Sequence, residues 1–217
     1  MMSQYAVIGL GSFGATAARE LLRLGHDVIG IDSCAKYVDQ LVNELTYAAI
    51  ADATDEQALR ELNVESCDAV LVAIGENLEA SILCVLHLKT IGIGQIWVKA
   101  KSKSHHMILS RLGVSRIIHP EEEMGIRIAQ ALNYPMVSQY MSLGHQHFIV
   151  AVEASRQLHG VCLSHLLTGH EKIRVMMVKR QHQVITVIQS EFMLEIGDTI
   201  ILEGSLAELN KLAPKVH

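Results

Sequence analysis

Residues 5–14 read Y-A-V-I-G-L-G-S-F-G, and residues 26–32 read H-D-V-I-G-I-D. The first stretch is an apolar run of strand length that breaks into G-x-G-x-x-G at Gly9, Gly11 and Gly14. An Ala-rich helical pattern starts at Phe13, and the second run closes on Asp32, 18 residues beyond Gly14. Strand, glycine turn, helix, strand and carboxylate, in that order, form the setting in which such glycines bind a dinucleotide. Gly9 permits the tight turn. Gly11 lets the main chain approach a diphosphate, and Gly14, with Ala15 and Ala18, lets helix and strand pack closely. Phe13 opens a helix whose N–H groups and positive dipole end suit phosphates. Asp32, with Ser33 beside it, stands where ribose hydroxyls are accepted and where a 2′-phosphate is repelled, which disfavours NADP. The plain alternative is a glycine turn that serves packing alone.

Outward from this start, strands and helices alternate. Strands are predicted at Tyr5–Leu10, Asp27–Asp32, Tyr47–Ala51, Ala69–Ile74, Gln95–Lys99 and Arg116–His119. Helices are predicted at Phe13–Leu24, Ala35–Leu45, Thr54–Leu62, Asn77–Thr90, Ser104–Leu112 and Met124–Leu132. Alternation of this kind implies an α/β fold, a Rossmann-like doubly wound parallel sheet. Half the residues are hydrophobic and only 4% are aromatic, so the core is aliphatic, as strands covered on both faces require. The pattern changes at Asn133–Tyr134–Pro135, which places a boundary between residues 1–135 and a small α+β domain over 136–217. That domain is read as strands Phe148–Val152, Ile173–Val178, Val184–Ile188 and Thr199–Glu203, with helices at Cys162–Leu167 and Leu206–Leu212. Gly197–Asp198 is a turn, and a helical or extended crossover precedes His147.

Other residues join the candidate site because the carboxyl ends of parallel strands face the ligand crevice. Asp52, Ala53 and Thr54 follow the third strand, where Asp52 can meet adenine or ribose, or, with Thr54, merely cap the next helix. Ala73, Ile74, Gly75 and Asn77 follow the fourth. Gly75 lets the backbone pass near a cofactor and Asn77 caps a helix. Lys99 ends the fifth strand and can meet a phosphate. His119-Pro120-Glu121-Glu122-Glu123 opens the sixth helix, where carboxylates suit the dipole. One of them can instead share a Mg²⁺ or Ca²⁺ with a nucleotide phosphate.

Several classes are disfavoured. The net charge of −5 weighs against nucleic acid and anionic membrane as partners. No apolar run reaches the ~18 residues of a membrane span, and residues 1–9 lack signal-peptide features, so a cytosolic location is expected. The four cysteines, Cys34, Cys67, Cys84 and Cys162, are scattered and read as free thiols. Of twelve histidines, His105 and His106 are adjacent and cannot share a helix face, while His145 and His147 can share a strand face without an evident third ligand. No nucleophile motif such as G-x-S-x-G is present. A small NAD-dependent oxidoreductase is the competing reading, with His119 as its acid/base. A redox-sensing transcription regulator would need a basic DNA-reading helix that is not evident.

The ordered set AVIGLGSFG, GHDVIGID, ADAT, AVLVAIGENLEAS, IWVKA and RIIHPEEEMG resembles the RCK (regulator of potassium conductance) family. The stretch from HGVCLSHLLTGHEKIRVMMVKRQHQV to LEIGDTIILEG resembles that family's smaller C-terminal lobe. The nearest likeness is to the cytosolic regulatory subunits of Ktr- and Trk-type bacterial potassium uptake systems. This resemblance implies a non-enzymatic, dimer-based ring, commonly an octamer, docked on the inner face of the membrane beneath a potassium-translocating subunit. It implies that ATP/ADP or NAD(H) gates ion flow. Matching contact positions are Gly9, Gly11, Ser12, Phe13, Gly14, Asp32, Asp52, Ala53, Thr54, Ala73, Ile74 and Lys99, and Glu121 matches a divalent-cation position. Relatives usually carry Arg where Ser12 stands and Gly where Ala51 stands. Relatives that bind cyclic di-AMP show an Arg and a Pro around the lobe's cleft. Here Thr168 is near the first place and no proline lies between Pro135 and Pro214, so that ligand is not indicated. The sixth helix, with Met124, Ile126, Ile128 and Leu132, is the expected dimer contact, although a core role explains the same residues.

Overall fold

The computed structural model describes residues 2–133, 137–189 and 191–216. The chain divides into two compact units, Met1–Pro120 and Glu121–His217. The boundary expected from the sequence, between 135 and 136, lies outside the described residues.

The first unit alternates β1 (Gln4–Ile8), α1 (Ser12–Arg23), β2 (Asp27–Asp32), α2 (Ala35–Asp39), β3 (Tyr47–Ile50), α3 (Glu56–Glu61), β4 (Ala69–Val72), α4 (Leu78–Thr90), β5 (Ile96–Lys99), α5 (Lys103–Arg111) and β6 (Arg116–Ile118). All strand pairs are parallel, in the order β3-β2-β1-β4-β5-β6. This is the order of the dinucleotide-binding folds, with its switch point between β1 and β4. The period of two along β1 splits its side chains between two cores. Ala6 and Ile8 join Ile31, Val72, Leu88 and Leu109 on one face, and Val7 joins Val28, Ala18, Leu41 and Leu45 on the other.

Some boundaries differ from expectation for local reasons. β1 stops at Ile8 because Gly9 turns to φ +93°. α2 ends at Asp39, not Leu45: the chain continues in turns with i→i+3 bonds such as Leu41 N–H to Val38 C=O, which still bury Leu41 and Leu45. α3 starts at Glu56 rather than Thr54, because Asp55 is its cap, accepting from Gln57 N–H at 2.9 Å.

The second unit opens with α6 (Pro120–Asn133 by its helical bounds), followed by β7 (Val137–Gly144), β8 (His147–Glu153), α7 (Leu163–Leu166), β9 (Arg174–Arg180), β10 (Gln183–Ile185), β11 (Thr199–Ser205) and α8 (Leu206–Val216). α6 begins four residues before the expected Met124, with Pro at its first position and three Glu in its first turn. The sheet is antiparallel, in the order β10-β9-β11-β8-β7. Val150, Val152, Val178, Ile200 and Leu202 form its core with Leu163 and Leu166 of α7 and Leu212 of α8. The crossover before His147, expected to be helical or extended, is the strand β7, joined to β8 through His145 and Gln146, both at positive φ, as a tight hairpin requires. His145 therefore lies in a turn and shares no strand face with His147, whose Nδ1 lies 3.1 Å from Glu203 Oε1.

Candidate nucleotide-binding site

The glycine turn is built from main-chain contacts. Gly9 N–H donates to Ile31 C=O at 2.8 Å and Ala73 N–H donates to Ile8 C=O at 2.7 Å, which join the ends of β2, β1 and β4. A Cβ on Gly9 would stand 2.9 Å from the Ala73 carbonyl carbon, and one on Gly14 would collide with the Gly9 carbonyl oxygen. A Cβ on Gly11 would meet nothing within 4 Å, so that residue faces open space, where a ligand can approach the main chain.

Gly11 also caps α1 without a side-chain hydrogen bond, and the first turn carries no acidic residue. The N–H groups of Ser12, Phe13 and Gly14 precede the helix's first internal bond, from Ala15 N–H to Gly11 C=O at 2.9 Å. Three such donors at a helix start, together with the dipole, make an anion site. Ser12 is exposed, its carbonyl accepting from Thr16 Oγ1 at 2.8 Å.

Asp32 is tied into the turn. Its Oδ2 accepts from Leu10 N–H at 2.6 Å and its Oδ1 from Cys34 N–H at 2.8 Å. The carboxylate thus orients the glycine loop as well as standing ready for ribose hydroxyls, since each oxygen has a second lone pair. Ser33, between the two, is exposed. Ala51 N–H donates to Asp32 C=O at 3.1 Å and brings the end of β3 alongside. There Asp52 Oδ1 accepts both the N–H and the hydroxyl of Thr54, at 2.9 and 2.7 Å. These two bonds hold the Asp52 carboxyl below the usual carboxylate range, so it is ionised at neutral pH. Asp52 is not a helix cap; it clasps Thr54 and leaves Ala53 buried.

The loop after β4 closes the other side. Ala73 is buried against Gly9 and Gly14, Ile74 is half-buried, and a Cβ on Gly75 would stand 3.3 Å from Lys99 Nζ. Asn77 caps α4, accepting from Ala80 N–H at 3.0 Å. Lys99 Nζ lies 5.8 Å from the centre of the Phe13 ring, so its ammonium stands close to the first turn of α1. The fifteen expected cofactor residues thus lie at or just beyond the carboxyl ends of β1 to β5. Glu121 belongs to the second unit, exposed in the first turn of α6. Sequence reasoning missed the Leu10–Asp32 bond and Lys101, whose Nζ donates to Glu76 C=O at 3.3 Å.

Burial pushes the Cys84 thiol up to about 12, aided by Asp52, and the Cys67 thiol up to about 11. His106 Nδ1 lies 2.9 Å from His119 Nε2, so the residue an oxidoreductase would need as its acid/base is engaged with a neighbouring ring. His105 is buried, and its Nδ1 accepts from Lys101 N–H at 3.3 Å. Burial, helped by nearby His119, holds it below the ordinary imidazole range. Below pH of about 6.5 the unfolded chain takes up a proton that the folded site resists, so stability falls as pH falls. The unfolding midpoint of the wild type should therefore drop more steeply between pH of about 7.5 and 5.5 than that of His105→Gln. Equal slopes would contradict this.

Residues 5–120 match the TrkA-N domain family model. Ktr system potassium uptake protein A of Bacillus subtilis (strain 168) is 44% identical over 155 residues, covering 71% of this chain and 70% of that protein. Ktr system potassium uptake protein C of the same organism is 34% identical over 217 residues, covering 100% and 98%. In three dimensions the chain is similar to the GsuK channel bound to NAD, with a TM-score of 0.57 at 16% identity, covering 99% of this chain and 38% of that one. An uncapped helix start, a glycine turn locked to a carboxylate and these matches lead to one conclusion: the chain belongs to the TrkA-N domain family, among proteins similar to the Ktr potassium uptake proteins A and C.

Proposed function

We propose that the protein is the nucleotide-sensing regulatory subunit of a bacterial Ktr/Trk-type potassium uptake system and is not an enzyme. The observation that carries this reading is the open N-terminus of α1, set beside the Asp32-locked glycine turn and the Lys99 ammonium. That arrangement binds the diphosphate of ATP/ADP or NAD(H). Relatives named as potassium uptake proteins along the whole chain support the transport role, and the NAD-bound channel of like fold supports NAD(H) as a ligand.

In this reading the subunit is cytoplasmic and peripheral. Homodimers assemble to an octameric ring on a membrane potassium-translocating subunit. Among the described residues no helix is long and apolar enough to cross a membrane. Ile126, Ile128 and Leu132 of α6 are 52%, 54% and 77% exposed, which suits the dimer contact better than a core role. Glu121 would serve as a ligand for a Mg²⁺ or Ca²⁺. Nucleotide binding shifts the ring only by its differential affinity for the two ring states.

Calorimetric titration with ATP, ADP, NADH and NAD⁺, with and without Mg²⁺ or Ca²⁺, tests the ligand. Tight binding of at least one is expected, with a cation effect that Glu121→Gln removes. Failure of all four to bind would overturn the reading.

A further inference from the structure

The positive side-chain charge that a diphosphate needs does not come from the start of α1. Asp32 and Asp52 bring two carboxylates, while the first turn of α1, S-F-G, carries no basic side chain. The nearby cations come from the end of β5. Ala100 N–H still donates to Ile118 C=O at 2.8 Å, which ties the end of β5 to β6 before the chain bends at Lys101 and Ser102 into α5. Both ammoniums reach the loop after β4, Lys99 at Gly75 and Lys101 at the Glu76 carbonyl. That loop packs on the glycine turn through Ala73.

Lys101 also differs from an ordinary surface lysine at its root. Its N–H is held by buried His105, and Ser102 next to it caps α5, accepting from His105 N–H at 3.1 Å. The main chain is thus fixed while the ammonium rests on one neutral carbonyl at 3.3 Å. A phosphate oxygen is the stronger acceptor for such a group.

Resting on the nucleotide-binding reading above, we propose that Lys101 is a specificity-determining residue of this site. Lys99 serves the phosphate at the start of α1. Lys101, just past the end of β5, contacts the next phosphate, so the site selects nucleoside diphosphates and dinucleotides over monophosphates.

Titration of the full chain with AMP and ADP separates these roles. In Lys101→Gln and Lys101→Met, ADP affinity should fall about tenfold, the size of one charge-assisted contact, with AMP affinity unchanged and Lys101→Arg restoring ADP. Lys99→Gln should weaken both ligands. Unchanged ADP affinity in the Lys101 variants, or equal losses for AMP and ADP, would overturn the inference while leaving nucleotide binding intact. A wild-type chain that binds neither ligand would overturn both.

Discussion

Gly14→Val should abolish nucleotide binding and destabilise the first unit by about 3 kcal/mol or more, beyond the usual cost of overpacking. The new Cβ collides with the Gly9 carbonyl oxygen and would lie 3.2 Å from Ala73 Cβ. Neither neighbour can swing aside. Gly9 is fixed at φ +93° with its N–H on Ile31, and Ala73 is fixed by its N–H on Ile8. Relief requires α1 to move away from β1, and that movement pulls the first-turn N–H groups off the phosphates. Thermal unfolding and calorimetry read the two effects separately. Wild-type affinity for ADP or NADH in this variant would contradict the packing account.

Arg180→Ala should cost the second unit about 3–5 kcal/mol, because it strands a buried carboxylate. Asp198 is 1% exposed and is gripped by Arg180 Nε and Nη2, both at 2.8 Å, and by Glu195 N–H at 2.9 Å. Arg180 also reaches Glu195 Oε1 and the Met193 carbonyl, and its guanidinium lies 5.2 Å from the Phe192 ring centre. Burial alone would raise the Asp198 carboxyl. The Arg180 and Glu195 bonds together outweigh it and hold the group below the usual range. Its folded value is depressed, so its contribution is full above pH of about 4 and is lost as pH falls through the lower folded value. Denaturant unfolding of the variant should show the loss at neutral pH, with a smaller loss when Asp198→Asn is added. A cost under about 1 kcal/mol would place this network among ordinary surface ion pairs.

The six parallel strands were legible because each is a short apolar run closed by a turn residue, and because a helix between successive strands makes them parallel. The glycine turn and Asp32 were legible because backbone geometry restricts which residues can stand there. Asp198 was readable only as part of a turn: its partner Arg180 is 18 residues away on β9, and pairing across a sheet leaves no local spacing to read. β7 escaped for a different reason. Its register shifts between Val137 and Gln139 and again between Ser142 and Gly144, which breaks the period of two by which a strand is recognised. Lys101 was hidden because an exposed lysine in a loop has no pattern of its own; its place depends on His105 being buried. The early end of α2 reflects tertiary override, since Leu41 and Leu45 reach the core from turns as well as from a helix.

A nucleotide in this crevice should set potassium flow. The most direct measurement is potassium uptake in proteoliposomes holding the Ktr-type membrane subunit, with the wild-type protein or Gly14→Val added and ATP, ADP, NADH or NAD⁺ exchanged. Uptake with the wild type should change with the bound nucleotide, and uptake with Gly14→Val should not respond. Uptake that is the same with every nucleotide, while calorimetry shows the wild-type crevice filled, would contradict it.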